Sequence, residues 1–429
     1  MNNPRSLSAA TLGAIGVVYG DIGTSPLYAL REATAVAGGA TDVNAMLGVL
    51  SLIFWSLLIV ISLKYVVFIL RLDNDGEGGV LSLVALVEDK LASNSKAAQR
   101  LVLLAVLGTA FFYCDALITP AISVLGAVEG LSIIDPGLQR LVVPGTLVIL
   151  VALFAIQRRG TERIGRLFGP IMVMWFVSIG LLGLRAIIHT PEILTALNPE
   201  HALRVLLGHP GVSLTILGAV FLVLTGGEAL YIDMGHFGKK PVRVAWFLVV
   251  WPGLLLNYFG QGALLLASPT TAINPFFALV TPSGLPFLIL LATAAAVIAS
   301  QATISGAFSV TRQAVQLDLL PRVKILQTSA DVHGQIYVPA TNTFMFFATC
   351  SFVLIFQGSS GLSGAYGAAV NGTMVITTLL GAIAARAAWK WPLWRIWLVF
   401  GLFGLVDSAF ILGNATKIPS GGWIPLALS

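Results

Sequence analysis

The chain has 429 residues, of which 57% are hydrophobic and only 10% charged. A soluble domain carries about 25% charge, so the composition excludes a soluble enzyme and describes an all-α polytopic membrane protein. A net charge of +5 does not imply a nucleic-acid partner, because the basic residues sit at apparent helix ends, as topology control requires.

In chain order, apolar runs predict helices over 10–34, 46–70, 101–129, 141–157, 166–188, 211–232, 242–267, 286–316, 338–357, 363–386 and 395–414. A twelfth is expected to begin near Gly421 and to be cut off at Ser429. No Asp, Glu, Lys or Arg occurs from Val244 to Thr311 or from Gly334 to Ala385. Each of those stretches is long enough for two helices of about 20 residues, and the alternating segments of a membrane barrel are missing.

The first helix contains Gly20-Asp21-Ile22-Gly23-Thr24-Ser25-Pro26. An acid at the centre of a span costs roughly 2.5–3.5 kcal/mol on insertion scales, so Asp21 is expected to face a partner, a cavity or an ion. The glycines and Pro26 predict an interrupted helix whose freed carbonyls could coordinate something. Lys64 lies within the second helix. The following Asp73-Asn74-Asp75-Gly76-Glu77-Gly78 has Val84 at its twelfth position, where a calcium loop needs Glu. It is read as a turn that could belong to a gate.

In the third helix, Asp115, Thr119 and Ser123 are spaced i, i+4, i+8, which places three oxygen-bearing side chains on one face. Such a row suits a dehydrated cation, although the hydroxyls can also bond back to their own helix. The sixth helix carries Thr225-Gly226-Gly227-Glu228, a second glycine break beside an acid. Two such segments five helices apart point to inverted repeats with a midplane site. The repeats are expected over 1–190 and 205–388, with helix 11 and the truncated helix 12 in 391–429. Asp233, near Gly235, His236 and Lys239, is read as solvated or capping. Tyr28 and Tyr366 could ligate a monovalent cation or sit at an interface. Gln301 is expected to bond across helices and Asp407 to make a structural pair.

Of 24 Lys and Arg residues, 18 fall on the side that holds Arg5, including Arg71, Lys90, Arg158, Lys239, Arg312 and Arg386. This predicts a cytoplasmic N-terminus. No cleavable signal peptide is expected. Cys114 and Cys350 each lie in an apolar run and imply neither a disulfide framework nor a metal site. The five histidines, His333 among them, lack metal spacing. No Walker loop and no TVGYG filter is present.

Several motifs are specific enough to name a family. Gly16-Val17-Val18-Tyr19-Gly20-Asp21-Ile22-Gly23-Thr24-Ser25-Pro26-Leu27-Tyr28, Asp73-Asn74-Asp75-Gly76-Glu77-Gly78-Gly79, Ile118-Thr119-Pro120-Ala121-Ile122-Ser123-Val124, Asp233-Met234-Gly235-His236-Phe237-Gly238 and Leu256-Asn257-Tyr258-Phe259-Gly260-Gln261-Gly262-Ala263 resemble the signatures of the Kup (HAK, KT) potassium uptake permeases. The resemblance spans essentially the whole chain. It implies a LeuT-like 5+5 inverted repeat of the amino acid–polyamine–organocation superfamily, with broken first and sixth helices and about 12 spans. It also implies proton-coupled potassium uptake in a bacterial inner membrane. Asp21, Tyr28, Thr119, Ser123, Thr225 and Tyr366 would bind K⁺, and Asp115 and Glu228 would couple the proton. Asp115 stands where many bacterial members have Glu. No cofactor beyond the transported K⁺ and H⁺ is implied. Members usually continue into a cytoplasmic C-terminal region, through which a homodimer could form. An amino acid or polyamine permease and a channel-like conductor are the alternatives; nothing resembles the nucleophile–base pair of an intramembrane enzyme.

Overall fold

The computed structural model describes residues 6–38, 42–88, 96–159, 162–268, 274–327 and 336–428. Arg5, Lys90, His333 and Ser429, used in the sequence reading, lie outside the described residues. Among those described, ten helices are long and apolar enough to cross a membrane: α2 (Val43–Arg71), α3 (Gln99–Ile134), α4 (Pro136–Ile156), α5 (Leu167–His189), α6 (Pro210–Phe237), α7 (Lys239–Ala267), α8 (Leu285–Gln316), α9 (Pro339–Phe356), α10 (Ser359–Trp389) and α11 (Leu393–Ala415). A bent pair, Leu7–Val17 and Gly20–Leu27, meets at 59° and makes the eleventh span, α1. After α11 come a π-helical turn, Ile418–Gly422, and the short helix Trp423–Leu428.

The helices sort by the burial their composition demands. α2, α6 and α8 are mostly buried, whereas α4, α9 and α11 lie at the rim. The rim shows exposed Val148, Phe347, Trp397, Leu398 and Leu405, the apolar surface that lipid contact requires. At the centre, all backbone and polar groups must find partners inside the protein. α2 is π-helical over Leu57–Phe68, and Arg243 donates to the carbonyls of Val66 and Val67 at its end. α7 is π-helical over Trp246–Val250. Trp246 Nε1 donates to Ser62 Oγ at 2.9 Å and its ring stacks on Tyr19, whose hydroxyl donates to the Val242 carbonyl at 2.7 Å. The elbow of α1 is thereby tied to α7 and, through it, to α2.

Both expected breaks exist, but the first is displaced. Helix geometry stops at Val17 and resumes at Gly20, so the elbow is Val18-Tyr19, and Gly20 and Gly23 are helical. Pro26 follows in a 3-10 turn, Ser25–Leu27. The second break is at Thr225-Gly226, where Gly226 has φ +86°. A Cβ on Gly226 would lie 2.7 Å from the Ile22 nitrogen and 3.2 Å from Asp21 Cβ. The two interrupted helices therefore meet backbone to backbone, beside Asp21.

Candidate ion-binding site

The carbonyls of α1 around Asp21 are not open. The Asp21 carbonyl accepts from Thr24 Oγ1 at 2.9 Å, Ile22 from Ser25 Oγ at 2.8 Å and Gly23 from Trp175 Nε1 at 2.8 Å. Pro26 accepts from Gln261 Nε2 at 3.1 Å. The expectation of unengaged backbone is corrected for these four carbonyls: each already accepts a side-chain hydrogen bond.

Those oxygens converge from four helices. Asp21 is buried, and the Tyr366 hydroxyl from α10 donates to its Oδ1 at 2.8 Å and Oδ2 at 3.0 Å. From α3, Thr119 Oγ1 lies 3.0 Å from the Tyr366 oxygen and 3.3 Å from Asp115 Oδ1. Its single proton can go to either. One turn further on, Ser123 Oγ lies 3.1 Å from Thr24 Oγ1. The Tyr28 ring packs edge-on to Tyr366 at 6.4 Å. Its buried hydroxyl has no hydrogen-bond partner and faces Asp21 and Thr225. Thr225 Oγ1 donates to the Leu222 carbonyl at 2.9 Å, closing the turn before Gly226.

The structure thus brings Asp21, Tyr28, Asp115, Thr119, Ser123, Thr225 and Tyr366 into one buried cluster. Glu228 stands apart on the α2 side. Tyr65 donates to its Oε1, while Oε2 is buried and unpartnered. Sequence reasoning missed Thr24, Tyr65 and Tyr258, the last of which hydrogen-bonds Ser25 at 2.7 Å. Thr24 and Tyr258 stood inside quoted motifs; Tyr65 was hidden in an ordinary apolar run.

Among the described residues, no Lys or Arg forms an ion pair with Asp21, Asp115 or Glu228. Asp407 differs: Lys64 Nζ lies 2.7 Å from its Oδ2, both side chains being buried. The expected structural pairing of Asp407 is what α2 and α11 make. Gln301 bonds across helices to Gln157, also as expected.

Both ends of the cluster are closed. On the face that carries the N-terminus, the turn after α2 lies against α6, with Gly78 on Tyr231 and Gly76 on Gly235. Asp73 pairs with Lys239 at 2.5 Å, and Glu77 with Arg312 at 3.5 Å and Gln313 at 3.1 Å. The Tyr231 hydroxyl donates to the Leu72 carbonyl. Asp233, read as solvated or capping, is not solvated: it is 3% exposed. On the opposite face, Arg31 pairs with Glu129 at 3.0 Å and donates to Ser359 and Ser360. Ser360 in turn donates to Glu32. These contacts join the ends of α1, α3 and α10, the helices that hold the cluster.

A cleft lined by Gly79, Val80, Gly108, Phe112, Gln313 and Thr373 runs beneath the Asp73 turn. The Asp73–Lys239 pair is half-exposed at Lys239, so it is worth about 1 kcal/mol or less. Replacing Asp73 with Asn is expected to speed thiol labelling of a Thr373→Cys probe up to about fivefold, measured with Cys114 and Cys350 replaced. Unchanged labelling would show that the turn does not hold the cleft shut.

The family model described as "K+ potassium transporter integral membrane domain" matches residues 8–429. This chain belongs to the Kup family of potassium transporters. It is 53% identical over 429 residues to the "Probable potassium transport system protein Kup" of Cupriavidus pinatubonensis, covering 100% of this chain and 67% of that protein. It is 54% identical to a Kup 1 protein of Geobacter sulfurreducens, covering 99% and 67%. Among solved structures, a manganese transporter of Eremococcus coleocola superposes with TM-score 0.53 at 14% identity, covering 100% of this chain and 95% of that one. MhsT in complex with L-phenylalanine gives 0.50 at 16% identity, covering 97% and 99%. At such identities the likeness concerns the fold alone, which is LeuT-like. The chain is a membrane transporter of the Kup family and not an enzyme.

Proposed function

We propose that this Kup-family chain takes up potassium across the cell membrane by proton-coupled symport, with alternating access to a midplane site. One observation carries the reading: Asp21, Asp115 and Glu228 are buried carboxylates without an ion-paired Lys or Arg among the described residues, in a protein that gives Asp407 its own ammonium. An uncompensated buried charge is costly, so these acids are suited to cations that come and go.

K⁺ would bind Asp21 with hydroxyl oxygens of Tyr28, Thr119, Ser123, Thr225 and Tyr366. The hydroxyls of Thr119 and Tyr366 already point lone pairs and protons around Asp21, and a cation would turn the protons away. Asp115 shares Thr119 with this cluster, so its charge state answers to the ion. Glu228, held by Tyr65 beyond the cluster, is placed to take a proton without displacing K⁺. The excess of basic residues around Arg71, Lys239 and Arg312 supports a cytoplasmic N-terminus. On that reading the Asp73 turn is the inner closure and the Arg31–Glu129 contact the outer one, and the structure is the occluded arrangement between them. Rocking of one helix group against the other would open each in turn.

Addition of K⁺ to protein-loaded vesicles is expected to acidify the lumen as the ion enters, read with a trapped pH dye. Replacing Glu228 with Gln should abolish the acidification while K⁺ binding survives. Potassium entry without acidification in the unaltered protein would refute coupling.

A further inference from the structure

α2 and α10 each offer two adjacent residues to two different carboxylates. On α2, Lys64 Nζ donates to Asp407 Oδ1 at 2.8 Å and Oδ2 at 2.7 Å, and the next residue, Tyr65, donates to Glu228. On α10, Thr378 Oγ1 donates to Asp407 Oδ2 at 2.5 Å, and its neighbour Thr377 faces Glu228. The Met374 carbonyl accepts a third bond from Lys64 at 3.2 Å. Asp407 is thus saturated and neutralised. Glu228 is met by the hydroxyls of Tyr65 and Thr377 and, among the described residues, has no ammonium in contact with it.

The two acids are close enough to act on each other. Lys64 Nζ lies 5.3 Å from the centroid of the Tyr65 ring, so one phenol separates the ammonium from the Glu228 carboxylate. The charged and titratable groups facing Glu228 are Lys64 and Tyr65 from α2, Asp407 from α11, Asp115 from α3 and Tyr231 on its own helix. Lys64 is the cation among them. Stability does not account for the pair, because apolar residues of similar volume often replace a buried ion pair without loss.

We infer that the Lys64–Asp407 pair is a positioning element that reserves Glu228 for a proton. The ammonium, fixed by Asp407 and the Met374 carbonyl while Thr378 holds Asp407, repels a second metal cation from the Glu228 pocket, where low dielectric leaves like charges poorly screened. A proton meets the same repulsion, but the O–H bond it forms with the carboxylate is covalent and outweighs it, whereas K⁺ has only electrostatic attraction to set against it. K⁺ is thereby confined to the Asp21 cluster, and the two ions travel in separate pockets. The inference rests on the reading of Glu228 as the proton carrier.

The test is Rb⁺ accumulation by the purified chain in vesicles under an imposed pH gradient at zero membrane potential. One-for-one coupling gives about tenfold accumulation per pH unit. The double variant Lys64→Met/Asp407→Leu removes the ammonium without leaving an unpaired charge. It is expected to let Rb⁺ only equilibrate, a loss of that roughly tenfold ratio, with a second cation component in the saturation curve. Asp407→Asn frees Lys64 to pair with Glu228 and is expected to lose gradient-driven accumulation too; this variant decides alone if the double variant does not reach the membrane. Full accumulation by either variant at normal abundance overturns the inference, since a merely structural pair would lower abundance or Tm and leave the ratio intact. Glu228→Gln separates the two readings. If it still accumulates Rb⁺ against the gradient, the proton role of Glu228 fails and the role of the pair with it. If it is uncoupled while Lys64→Met/Asp407→Leu stays coupled, only the role of the pair falls.

Discussion

Replacing Asp21 with Asn is expected to reduce Rb⁺ uptake by at least about a hundredfold at unchanged membrane abundance. Losing one charged partner of a buried pair typically costs 3–5 kcal/mol, and every 1.4 kcal/mol is about tenfold. The amide keeps the shape of Asp21, so the Tyr366 hydroxyl can still donate to its carbonyl oxygen. What disappears is the negative charge where the α6 break meets α1. Measured in cells lacking other potassium uptake, full transport by the variant would remove Asp21 from the site. Replacing Tyr366 with Phe would then show how much of the remaining binding comes from its oxygen.

Gly226→Ala is expected to damage the protein through strain and contact together. At φ +86° an L side chain is strained by roughly 1–2 kcal/mol. The added carbon would also meet the Ile22 backbone nitrogen at 2.7 Å. Backbone cannot rotate away as a side-chain tip can, so α1 and α6 must separate and Thr225 must leave Tyr28. Both thermal stability and uptake should fall. Gly38→Ala is the control: its φ is +96°, but nothing lies within 4 Å, so strain acts there without a clash. Equal effects of the two substitutions in melting and transport assays would show that contact between the breaks does not matter.

Much of this architecture is legible in the chain, and the misses have physical causes. The eleven expected spans correspond to α1 through α11 because long uncharged runs can do little else in a bilayer. The break at Thr225-Gly226 was readable because a left-handed residue there calls for glycine. The break in α1 was misplaced because its glycines serve another purpose. A Cβ on Gly20 would lie 2.8 Å from Ala299 Cα, so that glycine lets α8 approach and does not end a helix. Asp407 announced a need for a partner, and Lys64 was visible as a cation within the second span. Nothing local joined them, since 343 positions separate the two. Asp233 was misread for the same kind of reason: its carboxylate faces Gly306 of α8, far along the chain.

The occupied carbonyls of α1 carry a consequence for how this site can change. A filter made of peptide oxygens is fixed by the path of the chain, and its spacing shifts only if the fold shifts. Here the Asp21, Ile22, Gly23 and Pro26 carbonyls already accept from Thr24, Ser25, Trp175 and Gln261, and the cluster presents hydroxyls and carboxylates to an ion. Each of those is set by a single codon. The choice of cation is therefore written in residues that mutation can exchange one at a time, on a scaffold that need not move to accommodate them.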